Sequence, residues 1–353
     1  MSGPKRYKVS SKHLPISLQL RIWAGKILFR GDNVGGGRGT VFRLPAKQVA
    51  KLWCSRNELA SMEFVQAKTS VPVPRVLEIY EIKDDADGRV HIVMEEAPGG
   101  NAYEEYVNMT DEQVATFGSD LADCLEQLRA LEPPRGCKVG NTLGKAGLDH
   151  RLSSRLWGPF DTITDFHTYL RRGHPIEHWE SEPDVVRVHS RPEGTYQLKF
   201  THADLAPRNI KAKNGHITAI LDWEFGGWYP EYWDYTKMYW GESEVWENFY
   251  RAVEGEDRIV KYPEEKAAEL AIWKHMHPFA YDDPPWKPED DLKYQRAQQG
   301  TDDSTKAETS GLDDKAKDET DDADDTTKVQ TNGPDNQDQD SAPGPKETTS
   351  QEQ

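Results

Sequence analysis

The dipeptide Asn214-Gly215 is the tightest local constraint on the backbone of this chain. Both central residues of a type I′ turn need positive φ, which Asn and Gly tolerate, so the runs on either side are predicted to fold back as a hairpin. Those runs are Asn209-Ile210-Lys211-Ala212-Lys213 and His216-Ile217-Thr218-Ala219-Ile220-Leu221. With a two-residue loop Lys213 pairs with His216, and regular pairing outward sets Asn209 opposite Ile220. Asp222 lies just beyond, so an amide oxygen and a carboxylate are predicted to emerge together at the hairpin's open end. Upstream, Phe200-Thr201-His202-Ala203-Asp204-Leu205-Ala206-Pro207-Arg208-Asn209 brings a second carboxylate close in sequence.

Two such oxygens suit Mg²⁺, which takes one or two protein oxygens and completes its shell with waters and phosphate oxygens. A further carboxylate suits a hydroxyl that must be oriented and relieved of its proton. Together these are what transfer of the γ-phosphate of ATP requires. Asn209 and Asp222 are therefore the candidate metal ligands and Asp204 the candidate base. A capped loop carrying solvated acids is the ordinary alternative.

Through these residues the chain resembles the aminoglycoside phosphotransferase and choline kinase superfamily, small-molecule kinases of protein-kinase-like fold, and within it the fungal branch of phosphotransferase-domain proteins. Three segments carry the likeness, in matching order: Thr69-Ser70-Val71-Pro72-Val73-Pro74-Arg75-Val76, His202 to Asn209, and Asp222-Trp223-Glu224-Phe225-Gly226-Gly227-Trp228-Tyr229-Pro230-Glu231-Tyr232-Trp233. The resemblance runs from about Ile27 to Trp286. It implies an α+β, two-lobed fold: a strand-rich nucleotide-binding lobe over residues 1–97 and a mainly helical catalytic and acceptor-binding lobe over 98–287. It also implies Asp204 as catalytic base, His202 as scaffold of the loop, and Asn209 with Asp222 as ligands of Mg²⁺. Ala206 stands where a Ser/Thr protein kinase carries a catalytic-loop Lys, Asp222-Trp223-Glu224 replaces Asp-Phe-Gly, and no Ala-Pro-Glu follows. A hydroxyl of a small molecule is thus the expected acceptor, rather than a protein. A nucleotide-binding pseudoenzyme serving as an interaction protein is the alternative, and a Ser/Thr protein kinase a more distant one.

The N-terminal part reads as an antiparallel sheet with one inserted helix. Val41–Leu44 and Gln48–Trp53 are β-type runs, as are Val76–Glu81 and Arg89–Met94 around Asp84-Asp85-Ala86-Asp87-Gly88. Leu59, Met62 and Val65 share one face of a helix from Glu58 to about Lys68, with Asn57 as its expected cap. Lys51 stands late in a strand just before that helix, where a kinase-like lobe needs a cation for the α- and β-phosphates, and Glu58 is its expected partner, with Glu63 as competitor. An exposed strand Lys and an acid favoured by the helix dipole are the plainer readings. His91 to Gly100 is an apolar strand running into a Pro/Gly break. The resemblance makes this the hinge, with main-chain groups of about Glu95 and Ala97 meeting the adenine edge. Gly35-Gly36-Gly37-Arg38-Gly39 suits either a phosphate-facing loop or a surface turn.

In the C-terminal part Thr110-Asp111-Glu112-Gln113 is a capping-box pattern opening a helix whose apolar positions run to Leu128, before Pro133-Pro134. Phe166–Leu170 is predicted helical and Tyr196–Phe200 a strand. Nine aromatic residues fall among the eighteen from Trp223 to Trp240. Such density favours core packing, with a cation–π wall for a choline-like acceptor as the alternative.

Composition bounds the rest. The chain of 353 residues carries a net charge of −17. From Pro288 onward 19 acidic residues face 7 basic ones, with one aromatic, Tyr294. Such a segment buries too little apolar surface to offset chain entropy and is predicted to be a disordered acidic tail, residues 288–353. It is read as a solvated extension, with a basic partner as the alternative. The remainder shows no basic stripe, so nucleic acid is not an expected partner. Cys54, Cys124 and Cys137 show no metal-ligand spacing and read as free thiols. No apolar run reaches the ~20 residues that span a bilayer, and no membrane partner is expected; a cytoplasmic location is.

Overall fold

The computed structural model describes residues 3–10, 13–29, 40–105, 108–240, 246–275 and 285–287. The chain divides into two units, Met1–Leu292 and Lys293–Gln353, and every described residue belongs to the first. The glycine cluster Gly35–Gly39 and the acidic tail lie outside the described residues.

Five strands, β1 (Lys5–Val9), β2 (Val41–Leu44), β3 (Gln48–Cys54), β4 (Val76–Ile82) and β5 (Val90–Glu95), form one sheet in the order β1-β4-β5-β3-β2. Pairing is antiparallel except between β1 and β4. Side chains alternate across the strands, so each face receives its own helix. Helix α1 (Ile16–Leu28) buries Leu18 and Ile22 with Leu44, Ala50, Tyr80 and Val93. Gly25 lets α1 approach β2, because a Cβ there would stand 2.0 Å from the Arg43 carbonyl oxygen. Neither β1 nor α1 was expected: Pro15 precedes α1 without a side-chain cap and no acid stands in its first turn, so the usual start signals are missing.

On the other face α2 (Arg56–Lys68) packs Leu59, Met62 and Val65 with Ile79 and Ile92. Its cap corrects the sequence reading. Ser55 Oγ, not Asn57, accepts the Glu58 N–H at 2.9 Å. Asn57, one residue inside the helix, donates instead to the carbonyls of Glu224 (3.0 Å) and Gly226 (2.8 Å) and accepts the Thr142 N–H (3.0 Å). A short polar side chain thereby ties the start of α2 to the chain just after Asp222.

The C-terminal lobe opens with β6 (Gly100–Asn101), α3 (Ala102–Glu105) and α4 (Asp111–Arg129). The capping box of α4 is present in both directions, Gln113 N–H to Thr110 Oγ1 at 3.3 Å and Thr110 N–H to Gln113 Oε1 at 3.0 Å. Then come β7 (Gly140–Asn141), the hairpin β8 (Gly147–Asp149) and β9 (Ser153–Trp157), α5 (Ile163–Leu170) and α6 (Pro183–His189). The catalytic-loop candidates stand between β10 (Leu198–Thr201) and the hairpin β11 (Ile210–Lys213) and β12 (His216–Ile220). β13 (Gly227–Pro230) pairs β10, and α7 (Trp233–Met238), α8 (Glu247–Gly255) and α9 (Pro263–His275) complete the lobe.

The aromatic run after Asp222 is core. Trp223, Trp228, Tyr229, Tyr232 and Trp233 are all at most 2% exposed. Trp228 closes edge-on against Phe200, and Trp233 against Phe166, with centroids 5.3 and 5.0 Å apart, which fixes the segment that carries the site. The three cysteines are free. Among the described residues no helix is long and apolar enough to cross a membrane.

Behind this core the rings of His167 and His189 stack 4.1 Å apart. His167 Nε2 meets the Tyr232 hydroxyl at 2.7 Å, and His189 Nδ1 accepts from the Arg171 guanidinium at 2.9 Å. Burial, reinforced for His167 by the Arg171 charge, holds His167 down to about 3, and burial with the His167 and Arg171 charges holds His189 well below its ordinary value. In the unfolded chain both titrate near 6.5. The unfolded state therefore binds more protons below that pH, and the stabilisation from keeping both rings neutral is complete above it and lost as pH falls. These two rings are expected to lower the unfolding free energy as pH falls from 6.5 to 5, by up to about 1.4 kcal/mol per pH unit for each, so a His167→Gln variant should show a shallower loss in urea unfolding over that window than the parent. Equal pH dependence in parent and variant contradicts this account.

Candidate functional site

The hairpin forms with its turn at Asn214 (φ 54°) and Gly215 (φ 83°), and Lys213 pairs His216 as expected. Outward of that the register differs from regular pairing. Ala212 opposes Ile217 but Lys211 opposes Ala219, so Thr218 is an extra residue and Ile210, not Asn209, faces Ile220. The bulge is stabilised by Thr218 Oγ1, which donates to the Pro98 carbonyl at 2.5 Å. Asn209 moves opposite Leu221, whose N–H donates to the Asn209 carbonyl at 2.7 Å. The shift brings Asn209 one residue nearer to Asp222 than expected.

Asp222 ends the hairpin in the left-handed region, φ 63° and ψ 61°, a conformation that Asp tolerates better than most residues. There its Oδ1 accepts from Lys51 Nζ at 2.7 Å, while Glu58 Oε1 accepts from the same ammonium at 2.6 Å. Glu58 is therefore the partner of Lys51, and Glu63 pairs Arg6 instead. Glu58 is 2% exposed and its Oε2 has no hydrogen-bond partner among the described residues. Burial works to lower the Lys51 pKa, yet the Glu58 and Asp222 charges outweigh it and hold the ammonium well above its ordinary value.

Sequence reasoning passed over Glu224 as a site residue. Its carboxylate clusters with those of Glu58 and Asp222, their ligand oxygens all within 4.8 Å of one another. Burial first, then the Asp222 charge, pushes the Glu224 carboxyl up to about 7. One ammonium among three carboxylates leaves negative charge in excess, and an oxygen donor set of this kind fits a hard divalent cation. The signal was present as the last residue of Asp222-Trp223-Glu224.

The loop between β10 and β11 is built on main-chain contacts. Buried Asp234 accepts from the N–H groups of His202 (3.2 Å) and Ala203 (2.9 Å). His202 Nδ1 accepts the Asp204 N–H at 3.1 Å, so Nε2 carries the ring proton and donates to the Leu221 carbonyl at 2.8 Å. His202 thus joins the loop to the end of the hairpin. Asn209 Nδ2 donates to Asp204 Oδ2 at 2.7 Å and to the Asp204 carbonyl at 2.9 Å, which leaves its Oδ1 as the acceptor not used in holding the loop. Arg208 Nη2 meets Asp204 Oδ1 at 2.5 Å, with its guanidinium 5.9 Å from the Trp246 ring centre. Burial favours the neutral form of Asp204, but the charges of Lys237 and Arg208 prevail and lower its pKa. Lys237 is itself buried against Asp149 at 2.6 Å, a pair 88 residues apart that no local pattern announces.

At the end of β5 the N–H groups of Glu95 and Glu96 donate to the carbonyls of Arg75 (3.0 Å) and Lys47 (2.9 Å). The Glu95 side chain turns to Arg75, and Ala97 stands just outside the ladder. The structure therefore brings Lys51, Glu58 and Asp222 together, and joins His202, Asp204 and Asn209 in one loop that meets Leu221. A surface cavity of about 450 Å³ lined by Phe160, Asp161, Asp165, Tyr169 and Arg172 includes none of these residues.

Residues 28–270 match the phosphotransferase enzyme family. Among solved structures, the chain is similar to the apo form of a thermostable mutant of aminoglycoside phosphotransferase APH(4)-Ia. The identity is 16%, over 77% of this chain and 91% of that one, with a TM-score of 0.47. It is also similar to the GDP and kanamycin complex of APH(2")-IIia, at 13% identity over 76% and 89% of the two chains with a TM-score of 0.48. A third similar structure is APH(3'')-Id from Streptomyces rimosus ATCC10970, at 15% identity over 74% and 98%, with a TM-score of 0.42. No curated protein matches the chain.

Removing one member of a buried ion pair strands the other. Lys51→Met is expected to destabilise the protein by about 3 kcal/mol, because it leaves the enclosed Glu58 carboxyl without its cation. Lys51→Met combined with Glu58→Gln should recover much of that loss in urea unfolding at pH 8. Equal midpoints for the single and double variants would show that Glu58 does not depend on Lys51.

Proposed function

Since this chain belongs to the phosphotransferase enzyme family, we propose that it moves the γ-phosphate of ATP to a hydroxyl of a small molecule. The observation that carries the reading is the joint ion pair of Lys51 with Glu58 and Asp222, which draws strand β3, helix α2 and the hairpin's end to one point. In this reading ATP lies between a lobe of residues 1–97 and a lobe of residues 98–287. Lys51 steadies its α- and β-phosphates and Glu58 holds Lys51 in place. The Glu95 carbonyl and the Ala97 N–H meet the adenine edge.

Asn209 Oδ1 and Asp222 hold Mg²⁺, with Glu224 as the adjoining carboxylate. Bound there, the ion would neutralise charge developing on the phosphate oxygens. Asp204 orients the acceptor hydroxyl and accepts its proton. With Asn209 fixed on Oδ2, the hydroxyl reaches Oδ1 as Arg208 gives way, and the half-exposed Arg208 side chain has room to turn. His202 takes no proton in this scheme; its two hydrogen bonds hold the loop in register with Leu221.

A transfer screen with MgATP against hydroxylated metabolites, read beside thermal shifts, tests the assignment. Asp204→Asn is expected to retain the nucleotide shift while losing 10²- to 10⁴-fold in turnover, the usual worth of a general base. Asp222→Ala should lose both the Mg²⁺-dependent nucleotide shift and turnover. The roles are wrong if both variants match the parent in a protein that binds ATP. Nucleotide binding without transfer to any acceptor would instead favour a pseudoenzyme.

Arg208 gives a pH test. Its charge helps keep Asp204 ionised, so Arg208→Gln raises the pKa of the base and moves the acid limb of kcat/KM to higher pH. An unmoved acid limb would show that Arg208 does not act on Asp204.

A further inference from the structure

Helix α1 has two apolar faces. Leu18 and Ile22 are spent on the sheet, yet Ile16, Leu20, Trp23 and Ile27 are 75, 59, 63 and 58% exposed. Their spacing of four, three and four residues lines them along one side of the helix, and Leu28, 63% exposed, adjoins its end. Together they present roughly 500 Å² of apolar surface, at the upper range of what a soluble monomer leaves uncovered. The stripe is a convex ridge one helix wide, on a helix laid across the outer face of the sheet.

Charge says what would cover it. Residues 1–31 hold seven Lys and Arg and no acid, in a chain whose net charge is −17. Lys26 on α1 and Lys5 on the same face of β1 are exposed, and no ion pair engages them among the described residues. A second copy is a poor occupant, since a two-fold contact sets a patch against itself and would bring the unpaired Lys5 and Lys26 of both copies onto one contact. The acidic tail from Pro288 has the right sign but only Leu292, Leu312 and Val329 as large aliphatic residues in 66 positions, too few to cover the ridge. An anionic lipid surface offers both charge and an apolar layer. Trp, Leu and Ile on one side of a helix with Lys beside them is the pattern that lies in the bilayer interface, with no need to span it.

We propose that α1 and the basic N-terminal segment form a peripheral docking surface for an anionic bilayer. The ridge enters the interface, and the lysines meet lipid phosphates and carboxylates. The rest of the acidic protein is repelled, so approach is confined to this one face.

Co-sedimentation of the full-length protein with vesicles tests this, using phosphatidylcholine alone and phosphatidylcholine with 30% phosphatidylserine at 0.1 M salt. Binding is expected only to the mixed vesicles. Leu20→Ser with Ile27→Ser should weaken it at least tenfold with the melting temperature unchanged, because both side chains lie outside the core, and Lys26→Gln, which removes the charge, should weaken it several-fold. Raising salt to 0.5 M should release the protein. Absence of binding to both vesicle types overturns the proposal, as does binding that the substitutions leave intact. A parent protein that sediments as a dimer, and becomes monomeric with Leu20→Ser, would assign the ridge to a second copy and equally overturn it.

Discussion

The structure turns on the ammonium of Lys51. It is the cation that two carboxylates from distant parts of the chain both require, one on a helix seven residues on and one at the end of a hairpin 171 residues on. Glu58 is enclosed and has no solvent to fall back on, so its carboxylate depends on the Lys51 contact, while Ser55 caps the helix. With α2 set, Asn57 reaches the carbonyls after Asp222 and Ser61 meets Thr142 at 2.7 Å. A single charge thus fixes the relation between the sheet, the helix and the segment on which the proposed chemistry relies. The arrangement is costly to build in a low-dielectric site and correspondingly intolerant of partial loss.

Much of this was legible because the governing interactions are local. Asn214-Gly215 encodes its turn through positive φ, Thr110 and Gln113 encode a reciprocal cap, and Lys51 precedes its helix by only a few residues. The aromatic run after Asp222 announced burial through density, and the packing of Trp228 and Trp233 bears that out. The loop from His202 to Asn209 was readable as one hydrogen-bonded unit because donors and acceptors of fixed type follow at fixed spacing.

What escaped reading depends on distance or on tertiary competition. Ser55 and Asn57 are both good caps in isolation, and the carbonyls of Glu224 and Gly226, far off in sequence, drew Asn57 away. The Lys237–Asp149 pair lies entirely inside the protein and carries no periodic signature, yet its charge helps keep Asp204 ionised. Helix α1 lacks the start signals that mark a helix in sequence, and its packing surface, the face of a sheet made of later strands, does not exist until those strands pair. Arg208 was in plain view beside Asn209, but only coordinates show it lying on the carboxylate four residues back.

The bulge at Thr218 gives the hairpin the character of a vernier. Below it, near the turn, the two strands count in step; above it one strand has advanced by a residue. Without that offset Asn209 would share a rung with Ile220 rather than Leu221, the residue whose carbonyl anchors His202. The loop and the Asp222 carboxylate would then be out of phase by one pleat, a rotation that sends a side chain to the opposite face of the strand. Strand length between Thr218 and Asp222 sets that phase, while Asn214-Gly215 only reverses the chain: the far end of the hairpin is a turn, and the near end is a ruler.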